Sequence, residues 1–435
     1  MDNKQTYQKV ASYEGRAGEI KHVLLLYSGG LDTSVMLKWI QDEYHAKVTT
    51  LTLDLGQQHD DLEAIKQKAL KFGAVKAVAL DVREEFAGEY LAKGIKANAH
   101  YQGEYHLSTP MARALLAKKA VEVAEAEGAD CIAHGSTGKG NDQVRIDGYI
   151  VAHNPQMKVI APVREWNMDR NAEIEYAKKN GIPVPATLDF PYSDDDNMGG
   201  ITWEGGEITD PGLIAPEERF LTTYTLPKNA PDEPEFVKLT FENGLPVALN
   251  GKKANLGALI MALNKVAGAH GVGTFQVLED RLIGLKNRGI YEHPGLHTII
   301  EAHRSLERYV STRALNELKE TLDIRWGYLC YHALWLDPAM DAVNAFNDAA
   351  NERVEGEVTV RLFKGQATVV AMESPYALSF ASFNNAEGYN FNVNASAGFI
   401  EVYTLQMKIA NQIARLREAE ARSGVAEARK NKKKK

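Results

Sequence analysis

The run His22-Val23-Leu24-Leu25-Leu26-Tyr27 passes without a spacer into Ser28-Gly29-Gly30-Leu31-Asp32-Thr33-Ser34, and apolar side chains then recur at Leu31, Val35, Leu37 and Ile40. An unbroken apolar run suits a strand buried on both faces, and the spacing that follows it is helical. A strand that turns through a glycine pair into a helix is one β-α unit. Repeated units of this kind build a parallel sheet covered by helices on both faces. The alternation continues, with strands expected over residues 47–55 and 75–82, a charged helix over 61–72, and a further helix from Glu84 to about Ile95. Thr109 reads as an N-cap with Pro110 at the first helical position, and Gly128 stops that helix. Residues 129–134 and 159–163 supply further strands, and a helix over 171–180 ends at Gly181.

Residues 183–234 are rich in Pro, Gly and Asp, show little periodicity and read as loop. Alternation returns over 236–241, turns at Asn243-Gly244 and runs back to Leu249, which is a hairpin. Helices are expected over 256–267 and roughly 311–353, then a second hairpin over 357–372 turning at Lys364-Gly365. This half is mixed α+β rather than doubly wound. From Gly398 to about Arg422, Ile400, Leu405, Ile409, Ile413 and Leu416 keep helical spacing among many charges. Such an amphipathic terminal helix packs on another subunit or back on its own chain. The closing run from Lys430 to Lys435 reads as a solvated, disordered tail.

At 435 residues the chain exceeds what one core usually organises, so at least two are expected. A net charge of -8 argues against broad nucleic-acid or anionic-membrane binding and in favour of small substrates. The two cysteines, Cys131 and Cys330, lie far apart within regular structure, so a disulfide framework is excluded and the reducing cytoplasm fits. Residues 1–20 are polar and mixed in charge, without an apolar segment of signal-peptide length, and no membrane-spanning run is expected anywhere.

The first glycine-rich string has the chemistry of an anion cradle. Gly29 and Gly30 let backbone N–H groups approach an anion, Ser28, Thr33 and Ser34 add hydroxyls, and the helix that follows points its positive end at the same place. The Gly-Lys-Ser/Thr ending of the kinase-type loop and the third spaced glycine of the dinucleotide fingerprint are both missing. Asp32 would repel phosphate unless a cation intervened, which suggests a Mg²⁺ shared with ATP phosphates; an N-cap aspartate is the alternative, and the two roles can coexist. The whole string after its strand resembles the pyrophosphate loop of the N-type ATP pyrophosphatases, which adenylate an oxygen and then displace AMP with a nitrogen.

A second string, His134-Gly135-Ser136-Thr137-Gly138-Lys139-Gly140-Asn141-Asp142-Gln143-Val144-Arg145, follows the fourth strand and so falls at the carboxyl edge of the sheet. Its mixture of glycines, charges and neutral hydrogen-bonding groups makes a poor core and a good binding loop. It is similar, almost letter for letter, to the string of the argininosuccinate synthase family. Agreement continues at Lys158-Val159-Ile160-Ala161-Pro162, Pro246-Val247-Ala248-Leu249-Asn250-Gly251, His270-Gly271-Val272-Gly273 and Arg288-Gly289-Ile290-Tyr291-Glu292, leaving only the first 20 or so residues and the tail outside.

The resemblance implies an α/β nucleotide-binding domain of the ATP pyrophosphatase (adenine nucleotide α-hydrolase-like) type over residues 21–182 after an extension over 1–20. It further implies an α+β synthetase domain over 183–397 and a C-terminal oligomerisation helix with the lysine tail over 398–435. It implies an ATP-dependent ligase that joins L-citrulline to L-aspartate, acting as a cytoplasmic homotetramer. ATP contacts are implied for Leu26, Tyr27, Ser28, Gly29, Gly30, Leu31, Asp32, Thr33, Ser34, Leu53 and Gly135. Thr137, Asn141 and Asp142 would hold aspartate; Tyr105, Thr109, Asn141, Arg145, Ser193, Thr202, Glu279 and Tyr291 would hold citrulline. Asp32 and Lys139 are the phosphate- or Mg²⁺-linked candidates, and no general base is assigned.

The chain departs from the family pattern at Pro110, where some members carry serine, at Asp280, where asparagine is usual, and at Ile146-Asp147-Gly148, where Phe-Glu-Leu is common. A glutamine-dependent asparagine synthetase would need an N-terminal catalytic cysteine, and position 2 is Asp. A tRNA-thiolating relative would want reactive cysteines and a basic surface. A regulatory ATP-binding protein that had lost catalysis would show decay in the second string, yet residues 137–145 are intact.

Overall fold

The computed structural model describes residues 7–58, 61–166, 168, 170–184, 190–379, 392 and 394–432. The first half runs β1 (His22–Leu26), α1 (Leu31–Tyr44), β2 (Lys47–Asp54), α2 (Leu62–Lys71) and β3 (Lys76–Asp81). Helix α3 (Arg83–Glu85) then widens into a π-helix at Phe86–Leu91 and resumes as α4 (Ala92–Lys96). There follow α5 (Ser108–Glu127), β4 (Cys131–Ala133), α6 (Asp142–His153), β5 (Lys158–Ile160), α7 (Pro162–Glu165) and α8 (Arg170–Lys179).

The five strands pair in parallel in the order β3-β2-β1-β4-β5. From β1 the chain winds outward through β2 and β3, then returns to lay β4 against the other edge of β1. The winding direction therefore reverses between β1 and β4, and the crevice beyond their carboxyl ends is where open α/β sheets take ligands. Both glycine-rich strings leave the sheet at this point. Gly29 is needed here: its φ of 79° lies in the left-handed region, and an added Cβ would come within 2.9 Å of Ile65.

Helix α5 begins two residues earlier than expected. Leu107, with φ 62°, precedes it, Ser108 and Thr109 are already helical, and Thr109 is therefore not the N-cap. Its hydroxyl lies 2.9 Å from that of Thr202 instead. Pro110 still falls in the first turn, where a missing N–H leaves no intrahelical bond unmade.

The second half contains β6 (Tyr192–Asn197), β7 (Gly200–Gly205), β8 (Glu235–Glu242), β9 (Leu245–Leu249), β10 (Lys252–Lys253), α9 (Leu256–Ala269), β11 (Thr274–Asp280) and β12 (Lys286–Glu292). It continues through α10 (Pro294–Val310), α11 (Arg313–Tyr331), α12 (Pro338–Asn351), β13 (Gly356–Phe363) and β14 (Gln366–Glu373). The two expected hairpins are β8–β9 and β13–β14, and they join in one antiparallel sheet, β10-β9-β8-β13-β14.

Residues 183–234 are not all loop. β6 and β7 form an antiparallel hairpin that extends into the sheet β11-β12-β7-β6. Asp195 and Asp196 disfavour a strand by propensity, but Arg113 pairs with the first and the Gln58 N–H donates to the second at 2.9 Å. Helix α10 and the pair β11–β12 also lie outside the expected elements, and the helical stretch over 311–353 divides into α11 and α12.

Alternation along β1 and β2 sends side chains to opposite faces. Leu24, Leu26, Leu51 and Leu53 share a core with Met111 and Leu115 of α5 and with Leu239, Phe241, Ile260, Leu296 and Trp326 of the second half. Val23, Leu25 and Val48 pack with Met36, Leu37 and Ile40 of α1 on the opposite face. Cys131 and Cys330 are free and buried. Residues Met1–Tyr376 form one compact unit, and Ala377–Lys435 a second. The second unit holds helices Ala395–Tyr403 and Leu405–Lys432, which carry the predicted apolar stripe. The tail is thus helical through Lys432, because the preceding helix simply continues; residues 433–435, like 1–6, lie outside the described residues.

Candidate active site at the sheet switch point

A cleft of about 720 Å³ opens over the β1/β4 crevice. The first half contributes Leu26, Tyr27, Ser28 and Thr33 from the first loop, Leu53 from β2, and His134, Gly135, Ser136, Thr137, Asn141, Asp142 and Arg145 from the second loop and α6. Tyr105 and Thr109 enter from the start of α5, and Ser193, Thr202, Glu279 and Tyr291 from the four-stranded antiparallel sheet. Residues expected at three separate ligands therefore share one wall.

The remaining candidates sit behind that wall or outside it. Ser34 is buried, with its hydroxyl 2.7 Å from the Gly30 carbonyl and 2.9 Å from the Tyr27 hydroxyl, so it braces the loop from below. Leu31 packs with Val35 and Ile174. Gly30 takes the N-cap position of α1 with an extended backbone. Asp32 stands in the first turn and pairs with Arg170 at 2.7 Å, and Arg170 also reaches Glu173 at 3.0 Å. Asp32 is thus a first-turn helix residue and not the cap. Lys139 is exposed, and its carbonyl accepts from Arg281 at 3.1 Å.

The acidic and basic groups of the floor are tightly interlocked. Arg113 Nε donates to Asp142 at 2.8 Å, and its Nη2 pairs with Asp195. Arg145 Nη1 donates to the other Asp142 oxygen at 3.0 Å, while its Nε and Nη2 hold the Tyr331 carbonyl at 3.2 and 3.0 Å. Burial works against a charged Asp142, but the two guanidiniums outweigh it and hold this carboxyl at about 2. Asp195 moves the other way, because burial and the neighbouring Asp142 charge exceed what Arg113 returns. Glu279 is pushed up to about 7, chiefly by burial.

Asn141 fixes the second loop across the cleft: its amide nitrogen donates to the Tyr331 hydroxyl at 2.8 Å, and its oxygen accepts the Leu282 N–H at 2.9 Å. Aromatic rings stiffen the wall, with Tyr105 stacked on Tyr291 at 4.0 Å and Tyr101 on Tyr331 at 3.6 Å. Sequence reasoning misses Arg113, Asp195 and Tyr331. Arg113 lies one turn beyond Thr109 on α5 and Asp195 two residues beyond Ser193 on β6, whereas Tyr331 reaches the site only through the packing of α11.

The architecture and both strings have counterparts in known proteins. Residues 22–183 match the model of the Arginosuccinate synthase N-terminal HUP domain, and residues 192–410 match that of the Arginosuccinate synthase C-terminal domain. Among similar proteins, an argininosuccinate synthase of Pyrococcus furiosus is 48% identical over 389 residues, covering 89% of this chain and 94% of that protein.

This chain belongs to the argininosuccinate synthase family.

Members from Symbiobacterium thermophilum (46% identical, 89% of this chain and 97% of that one) and Streptococcus mutans (44%, 90% and 98%) show the same end-to-end agreement. The argininosuccinate synthase frame accounts for the mixed architecture, a five-stranded parallel sheet followed by antiparallel sheets and a terminal helix. Among the described residues, no helix is long and apolar enough to cross a membrane.

Proposed function

We propose that this cleft joins L-citrulline to L-aspartate, splitting ATP into AMP and pyrophosphate. The observation that carries the reading is the meeting of both strings at one switch-point cleft whose far wall, from Thr202 to Glu279 and Tyr291, is acidic, hydroxylated and aromatic. Such a wall suits two zwitterionic amino acids beside a polyanionic nucleotide.

In this reading residues 21–182 hold the nucleotide and residues 183–397 complete the amino-acid sites. Leu26 to Ser34, Leu53 and Gly135 surround ATP; Thr137, Asn141 and Asp142 take aspartate. Tyr105, Thr109, Asn141, Arg145, Ser193, Thr202, Glu279 and Tyr291 take citrulline. The citrulline ureido oxygen attacks the α-phosphorus, and pyrophosphate leaves from the first loop. The aspartate amine, after shedding a proton, attacks the ureido carbon of the citrullyl-adenylate, and AMP departs carrying the former ureido oxygen. Alignment and charge screening supply most of the acceleration in such a reaction.

Mg²⁺ would arrive with ATP. Among the described residues no group of three His, Cys, Asp or Glu side chains could hold a metal ion, but the exposed Asp32 offers one carboxylate beside the phosphate loop. That donor set fits an ion held mainly by phosphate oxygens and water. Bound there, it would neutralise phosphate charge, with Lys139 assisting from the second loop. The assembly we propose is a cytoplasmic homotetramer.

The reading is tested with purified full-length protein. Pyrophosphate release should require citrulline, and argininosuccinate should form only when aspartate is added too. Turnover without citrulline, driven by another amino acid, would overturn it.

A further inference from the structure

We propose that His134 and Asp147 are positioning residues for aspartate, with Asp147 deciding which ring nitrogen of His134 carries the proton and His134 thereby fixing the turn that presents Ser136 and Thr137. This rests on the assignment of Thr137, Asn141 and Asp142 to aspartate made above.

His134 is the last residue before the second loop, and both of its ring nitrogens are engaged. Nε2 lies 2.5 Å from Asp147 Oδ1, while Nδ1 faces the Ser136 N–H at 3.1 Å. Asp147 sits one turn along α6 from Gln143 and is buried. Its second oxygen receives Arg164 Nη2 at 3.0 Å and the Tyr13 hydroxyl at 3.2 Å. Burial opposes the charge on Asp147, but the His134 hydrogen bond and the Arg164 guanidinium hold its carboxyl below the usual range.

An ionised carboxylate only accepts, so His134 donates to it through Nε2. The Ser136 N–H is aimed at Nδ1, which can accept only with a free lone pair, so the ring is neutral and its one proton sits on Nε2. That bond closes a two-residue turn directly after β4 and sets the direction in which Ser136 and Thr137 enter the cleft. With the proton on Nδ1, two donors would face each other and the turn would open. Arg164 and Tyr13 act one step further back, keeping Asp147 charged and in place.

The experiment compares four variants of the full-length protein by steady-state kinetics. His134→Leu keeps the bulk and removes the acceptor; His134→Asn is shorter but presents an oxygen able to accept the N–H two residues on. We expect His134→Leu to raise KM for aspartate about 10-fold, the scale on which an N–H left without its acceptor costs binding, and to leave KM for ATP little changed. His134→Asn should recover most of that loss. Asp147→Asn, nearly isosteric, can donate to Nε2 and force the wrong tautomer, so it should resemble His134→Leu. Asp147→Glu should stay close to wild type, because a cavity of about 330 Å³ bordered by Tyr13, Asp147, Gly148 and Arg164 leaves room for the longer chain.

Equal impairment of the Leu and Asn variants at position 134, or a wild-type KM in Asp147→Asn, would overturn the proposal. Should the position 134 variants fail to fold, ¹⁵N NMR of histidine-labelled wild type decides instead: Nδ1 of His134 must be unprotonated, and a protonated Nδ1 would refute the tautomer. A wild type that makes no argininosuccinate would sink the functional reading. An active wild type with indifferent variants would sink only this one.

Discussion

The buried charges of the cleft and those packed between two helices of the second half meet the same electrostatic problem in different surroundings. In the cleft, Asp142 and Asp195 share Arg113, with Arg145 adding a second cation to Asp142. Between α10 and α11, Glu307 and Asp323 share Lys319 at 3.1 and 2.6 Å. Asn98 donates to both of these carboxylates, at 2.7 and 2.9 Å, and its oxygen accepts from His303 Nδ1 at 2.7 Å. Burial pushes Asp323 up to about 7, as it does Glu279 in the cleft. The difference is access: Asp195 and Glu279 line an open cavity, whereas Glu307 and Asp323 are sealed between helices. Similar carboxylate pairs are thus open to a ligand where a cavity adjoins them and closed to one where helices seal them.

That contrast breaks most visibly if the two shared cations are removed. Arg113→Met leaves Asp142 and Asp195 without their common partner, and a buried charge stripped of its pair costs about 3–5 kcal/mol, or at least ~100-fold. The loss should appear in kcat/KM for the two amino acids, read by steady-state kinetics, with KM for ATP nearly unchanged. Lys319→Met should cost a similar amount, but as unfolding free energy in a denaturant titration, with all three KM values preserved. If both variants lost mainly stability, or both mainly activity, the distinction between the clusters would fail.

A finer test stays inside the cleft. Arg145→Ala frees Asp142 and the Tyr331 carbonyl and takes one guanidinium from the proposed citrulline site. A hydrogen bond to a charged group is worth about 1.5–3 kcal/mol, so citrulline binding should weaken roughly 10- to 150-fold. ATP affinity, measured by calorimetry, should move far less; equal losses would remove Arg145 from the citrulline site.

A further test is a pH dependence. Folded Asp323 keeps its proton to about pH 7, whereas in the unfolded chain it titrates near 3.8. Between those values the folded state binds more protons, so this group's stabilisation is full below about pH 4 and is lost as pH rises through about 7. Stability of wild type relative to Asp323→Asn, from thermal melts, should decline across that window. A flat difference would mean the Lys319 cluster holds no extra proton.

The sequence exposes one of these regions far better than the other. Parallel strands and their glycine-rich exits are readable because unbroken apolar runs and obligatory backbone turns leave local signatures, as at His22 to Ser34 and at residues 129–145. The β6–β7 hairpin hides because its aspartates count against a strand until Arg113, from a distant helix, is seen to neutralise Asp195. Tyr331 and the Asn98–Glu307–Asp323 cluster hide for a related reason: their partners lie far away in sequence, and no periodicity records such pairing. Thr109 shows the converse error, a strong local capping signal overridden when its hydroxyl meets Thr202.

The central claim is that citrulline is activated by its own ureido oxygen at the β1/β4 crevice. Citrulline labelled with ¹⁸O at the ureido position, incubated with ATP, aspartate and the full-length protein, tests it most directly by mass spectrometry of the products. The label is expected in AMP, with none in pyrophosphate or argininosuccinate; label-free AMP formed alongside argininosuccinate would rule out adenylation of that oxygen.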